Sequence, residues 1–103
     1  MPMEVLTNPD IEKFIIYLET NTRAKVTKTI GLLEKFGHLL LMPHSRKVTK
    51  DLFELRIRGN QEIRIFYTFH KNSAHLLHGF IKKQQKIPRK EIKQALNKLR
   101  RLT

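Results

Sequence analysis

The sequence predicts an α+β domain in which an N-terminal helical hairpin packs on an antiparallel sheet of three to four strands, followed by a C-terminal helix. Apolar residues recur at i, i+3, i+4 and i+7 near the start of the chain and again after Pro88, the spacing of one helical face. Between residues 53 and 81 the period changes to two, the spacing of strands. With 103 residues, of which 40% are hydrophobic, the chain can bury one modest core and not two, so residues 1–103 form a single domain.

Asn8 can cap a helix, Pro9 suits its first position, and Asp10 favours the positive end of its dipole. Ile11, Phe14, Ile15 and Leu18 then make one apolar stripe. Asn21 and Thr22 interrupt it, and a second helix over about residues 23–36 gathers Val26, Ile30 and Leu33 before Gly37 ends it. Residues 41–51 read as irregular. Phe53, Leu55 and Ile57 alternate with Glu54, Arg56 and Arg58, giving a strand with one wet face. After a turn at Gly59, Asn60 and Gln61, Ile63, Ile65, Tyr67 and Phe69 alternate with Glu62, Arg64, Phe66 and Thr68. A turn over residues 70–73 leads to residues 74–81, apolar on both faces and so a more central strand, with Gly79 allowing close backbone approach. In the last helix Ile92, Ala95, Leu96 and Leu99 form the apolar stripe amid Arg89, Lys90, Lys93, Lys98, Arg100 and Arg101. Residues 3–7 offer a short edge strand.

Lys and Arg number 21 against 9 Asp and Glu, a net charge of +12, and the excess is uneven. Residues 1–40 are neutral, with five charges of each sign; residues 41–70 carry +3 and residues 71–103 carry +9. Charge concentrated on one part of a chain points to a polyanionic partner. No apolar run approaches the roughly 18 residues of a membrane span, and Met-Pro-Met-Glu is not the start of a signal peptide, so the expected location is the cytoplasm. The absence of cysteine excludes disulfides, thiolate metal sites and thiol nucleophiles. His38, His44, His70, His75 and His78 show no metal-ligand spacing, and no phosphate loop or nucleophile elbow is present, so neither metal nor cofactor is expected.

What remains is cations on strand faces. Arg56 and Arg58 lie on one strand, Arg64 on the next, and Lys82, Lys83 and Lys86 follow the third. Closure of the hairpin at its short turn puts Arg56 and Arg64 side by side, a site for phosphodiester oxygens. Phe66 shares Arg64's face and offers a surface on which a base can stack. Metal-free RNA cleavage uses the ribose 2′-hydroxyl as nucleophile and requires a base, cations for the phosphorane and an acid for the leaving 5′-oxygen. Neighbouring positive charge lowers a lysine's pKa, so Lys82 among Lys83, Lys86, Arg56 and Arg64 is a candidate base or acid. Histidine's unperturbed value near 6.5 suits His78 to either role, although a histidine in an apolar strand is more often a packing residue. Tyr67 reads equally as a core tyrosine.

Phe-Glu-Leu-Arg at 53–56, Arg-Ile-Phe-Tyr at 64–67 and Leu-Leu-His-Gly-Phe-Ile-Lys-Lys at 76–83 occur in order, followed by Gln85-Lys86 and Pro88-Arg89-Lys90-Glu91-Ile92. Together these strings resemble the phage-derived, HigB-like branch of the RelE/ParE toxin superfamily. The resemblance implies a RelE-like fold, a place in a type II toxin–antitoxin pair with a small helix-turn-helix antitoxin as partner, and, on the RelE side, cleavage of mRNA in the ribosomal A site. It makes Arg64 the arginine at the scissile phosphate, Arg56 its neighbour, and Lys82, Lys83 and Lys86 further phosphate contacts, with His78 a candidate for proton transfer. Arg58, Phe66, Tyr67, Gln85, Arg89 and Lys90 complete the candidate RNA contacts. Two departures from the family pattern are a first strand that is short or missing and a last helix without tyrosine. The competing readings are a ParE-like inhibitor of DNA gyrase and a non-catalytic basic protein that grips nucleic acid by its phosphates.

Overall fold

A computed structural model describes residues 2–102. Along the chain come β1 (Glu4–Leu6), α1 (Pro9–Ile16), α2 (Thr20–Phe36), β2 (Ser45–Lys47), β3 (Phe53–Ile57), β4 (Ile63–His70), β5 (Ser73–Ile81) and α3 (Arg89–Arg100). The hairpin of helices, the meander and the closing helix stand where the periodicities place them. Among these residues no helix is long and apolar enough to cross a membrane.

The Asn8 side chain accepts the Ile11 amide at 2.9 Å, and its own amide group donates to the carbonyls of Leu76 and Leu77. One residue thus caps α1 and fastens it to β5. α2 begins three residues earlier than the periodicity suggests, because Asn21 and Thr22 fall in its first turn, where polar side chains cost a helix little.

The sheet has five strands in the order β1-β5-β4-β3-β2, with β1 parallel to β5 and the other pairs antiparallel. β1 is the short edge strand expected at residues 3–7 and makes the fourth strand, and β2 adds a fifth. β1, three residues long, shields the start of β5 and makes β5 an interior strand. β2 lies in the stretch read as irregular; three residues, Ser45, Arg46 and Lys47, carry no apolar alternation to betray it. Lys71 and Asn72, both at positive φ, make the tight turn between β4 and β5.

α1 and α2 cover one sheet face, where Ile11, Val26, Leu33, Leu55, Ile65 and Tyr67 are buried together. The opposite face was expected to be wet, and it is not wholly so. α3 lies across part of it and closes a second core of Leu52, Phe66, Leu77, Phe80 and Ala95. Between β4 and β5 the register shifts: Phe66 opposes His78 while Tyr67 opposes Leu76, leaving Leu77 as the extra residue of a bulge. Leu77 joins the core beneath α3 for that reason. Gly79 sits where a β-carbon would lie 2.7 Å from the Phe14 ring, the close approach expected of it.

Burial raises the Tyr67 hydroxyl above tyrosine's ordinary 10.0, and its hydrogen bond with Ser45 pulls the other way. The unfolded chain therefore gives up this proton first, so stability present below about pH 10 is lost as pH rises past it. Tyr67→Phe should cost about 1 kcal/mol at neutral pH through the lost bond and lose stability less steeply than the parent in alkaline urea titrations. Parallel alkaline slopes would contradict this assignment.

Candidate nucleic-acid interface

Strand register arranges the α3-side face of the sheet into rows. Arg46, Glu54, Phe66 and His78 oppose one another across β2, β3, β4 and β5, and the next row holds Arg56, Arg64 and Phe80. Phe66, Phe80 and His78, towards β5, lie beside α3, and Arg46, Glu54, Arg56 and Arg64 make the charged part.

Glu54 is the centre of the charged half. It is 0% exposed. Its Oε1 lies 3.3 Å from Arg46 Nη2 and 3.7 Å from Arg56 Nε, and its Oε2 lies 3.8 Å from Arg64 Nε. Neither oxygen makes a hydrogen bond, nor does Arg56 Nε. Three guanidiniums are thus held by charge at distances longer than a hydrogen bond, which fixes their neighbourhood more than their orientation. Arg64, with its side chain 3% exposed, also reaches Glu62 Oε1 at 3.4 Å and donates to the Ile63 carbonyl. Glu62 holds Arg58 from the other side at 3.4 Å. Four arginines and two glutamates make a cluster of net charge +2.

The expected juxtaposition of Arg56 and Arg64 is present: they are direct cross-strand partners on one face. Arg58 joins them through Glu62. The Lys82 amide donates to the Glu62 carbonyl at 2.7 Å, which carries the β4–β5 pairing one residue further and brings Lys82 to the cluster's border. Lys83, Gln85 and Lys86 are exposed on the segment between β5 and α3, and Arg89 and Lys90 are exposed on the first turn of α3; none of these five is tied to the arginines by a hydrogen bond or ion pair.

Four expectations need correction. Arg64 does not reach out to a phosphate, because its side chain is 3% exposed and its guanidinium is engaged by Glu54, Glu62 and the Ile63 carbonyl. Phe66 is no stacking surface, because it is 0% exposed and packs its ring against Phe80 beneath α3. Tyr67 belongs to the core on the opposite face. His78 stands two strands from Glu54, about 10 Å by strand spacing, with Phe66 between them. Its Nε2 lies 2.8 Å from Glu91 Oε1 on α3, and its ring stacks on Phe80, so it anchors that helix. Sequence reasoning missed Glu54, Glu62 and Arg46. The signal for Glu54 was available: it is the one acid at an alternating position among cations on β3. Among the described residues no histidine and carboxylate cluster is suited to a metal ion.

Residues 13–100 match a family described as "Phage derived protein Gp49-like". No curated protein matches the chain. Among solved structures, a double arginine-to-alanine mutant of the E. coli toxin RelE in the free state is similar over 100% of both chains, with a TM-score of 0.65 at 11% identity. The expected RelE-like fold is therefore present.

Removing the buried anion should unsettle every cation above it. We expect Glu54→Gln to lose about 3 kcal/mol in urea unfolding, whereas Arg46→Gln, whose side chain is 51% exposed, should lose less than about 1 kcal/mol. Equal losses would remove Glu54 from its central place.

Proposed function

Since the chain belongs to the family of phage-derived Gp49-like proteins, we propose that it is the toxin of a type II toxin–antitoxin pair and that it cleaves mRNA on the ribosome. The observation that carries this reading is the direct opposition of Arg56 and Arg64 over the buried Glu54. A scissile phosphate placed above Arg56 meets a cluster with surplus positive charge. Arg46 and Arg58 flank the entry, and Arg64 supports the field from beneath.

In the proposed reaction a base removes the 2′-hydroxyl proton, the 2′-oxygen bonds to phosphorus, and the bond to the 5′-oxygen breaks as that oxygen takes up a proton. The arginines stabilise the extra negative charge on the phosphorane, where preorganised cations do most work. Lys82, Lys83 and Lys86, at the border of the cluster and beyond it, are the side chains proposed for proton transfer. Gln85, Arg89 and Lys90 extend the contact along the RNA backbone. His78 keeps its place with Glu91. The cytoplasm, where ribosomes and mRNA meet, is the proposed site of action, and a helix-turn-helix antitoxin is the proposed partner.

Primer-extension mapping of translated mRNA after induction tests this. Cuts within open reading frames are expected, and Arg56→Gln should reduce them by about 100-fold or more, a loss read at a temperature where the variant is still folded, since removing a partner of the buried Glu54 also costs stability. Growth arrest with intact mRNA would overturn the nuclease; if supercoiling by gyrase fell at the same time, the inhibitor reading would replace it.

A further inference from the structure

Besides Glu54, the Arg56 guanidinium meets a partner of a different kind. Its Nη1 donates to the Met42 thioether at 3.2 Å, while its Nε lies 3.7 Å from Glu54 Oε1 and makes no hydrogen bond. A thioether is a weak acceptor. The contact therefore sets the sulfur on the guanidinium without committing the donor. Met42 is 57% exposed and the Arg56 side chain 18% exposed, so solvent reaches the sulfur more readily than the cation it touches.

The rest of the chain offers an oxidant little else. Cysteine is absent, so no thiol competes for a peroxide, and the methionines number three. Met3 is partly buried against the first core, and Met1 lies outside the described residues. Among the described residues, Met42 alone joins an exposed sulfur to a contact with the arginine cluster.

We propose that Met42 is an oxidation site that switches Arg56, with a peroxide as the oxidant. The sulfur lone pair attacks one peroxide oxygen, the O–O bond breaks and an S–O bond forms. With hydrogen peroxide the products are the sulfoxide and water, sulfur giving up two electrons and the peroxide taking them. A sulfoxide oxygen carries far more negative charge than a thioether sulfur, and the cationic donor already beside it is Arg56 Nη1. Oxidation thus exchanges a weak acceptor for a strong one and holds the guanidinium against the segment before β2. The sulfoxide is chiral, so the switch closes in the epimer whose oxygen faces Arg56, and a sulfoxide reductase drawing on a thiol reopens it. Met42 belongs to neither core, so the fold tolerates the added polarity. That the held arginine is lost to an RNA phosphate rests on the nuclease reading; the modification and its grip on Arg56 do not.

The test treats the ¹⁵N-labelled full chain with dilute hydrogen peroxide and follows two readouts. Peptide mass spectrometry should show Met42 gaining one oxygen about threefold or more faster than Met3. In NMR spectra the Arg56 Nε–Hε signal should move, and its exchange with water should slow by about threefold or more, as the guanidinium gains a strong partner. Met42→Leu keeps the bulk without the sulfur, and its Arg56 signal should ignore the oxidant. Oligouridylate affinity at fixed salt should fall by about tenfold on oxidation of the parent and return after treatment with sulfoxide reductase and dithiothreitol. Oxidation of Met42 no faster than of Met3, an Arg56 signal unmoved by it, an equal response in Met42→Leu, or unchanged affinity in a chain that binds oligouridylate would each overturn the proposal. A chain whose Arg56 signal responds while neither form binds oligouridylate keeps the switch and loses the RNA reading.

Discussion

The pairing of one fully buried carboxylate with three guanidiniums is the interaction on which the functional face depends. β2, β3 and β4 bring Arg46, Arg56 and Arg64 to one side of a sheet. Left to themselves, those like charges would lean apart into solvent. Glu54, 0% exposed beneath them, is more costly to strip of a partner than an exposed acid would be, so the folded chain must keep cations over it. The requirement acts in both directions: the acid needs the arginines for burial, and the arginines need the acid for convergence.

The other half of that face obeys an apolar version of the same logic. α3 carries its hydrophobic residues on one side, and the bulge at Leu77 adds a side chain beneath it, so the helix settles over β4 and β5. Polar ties help to hold it there, among them His78 with Glu91 and Lys98 with Asp10 of α1. Away from α3 the charged rows reach solvent through Arg46, 51% exposed, and in part through Arg56, while Glu54 and Arg64 stay buried beneath them.

This division explains which features were legible in the sequence. Alternation along β3 and β4 assigns side chains to faces and closes a short hairpin, so the opposition of Arg56 and Arg64 could be read directly. Alternation does not say which part of a face a distant helix will cover. Phe66 and Arg64 occupy equivalent positions in the pattern, yet Phe66 lies against Phe80 and Ala95 while Arg64 joins Glu54. The same limit hid β2, whose Ser45 meets Tyr67 through a hydrogen bond that no hydropathy pattern records. Glu54 was partly legible: its own strand sets it beside Arg56, but only β2 and β4 supply Arg46 and Arg64, which complete its burial.

Loose pairing within the cluster leaves guanidinium donors uncommitted. A guanidinium locked in a bidentate bond to its carboxylate would have to lose that bond before meeting a phosphate. At 3.3 and 3.7 Å, without a hydrogen bond to either Glu54 oxygen, Arg46 and Arg56 can turn outward while Arg64, buried and tied to Glu62 and the Ile63 carbonyl, stays beneath. The surplus positive charge of residues 71–103 has a different task, since it is spread over exposed side chains and acts at the range of the solution field. Long-range attraction and local geometry are thereby assigned to different parts of the chain.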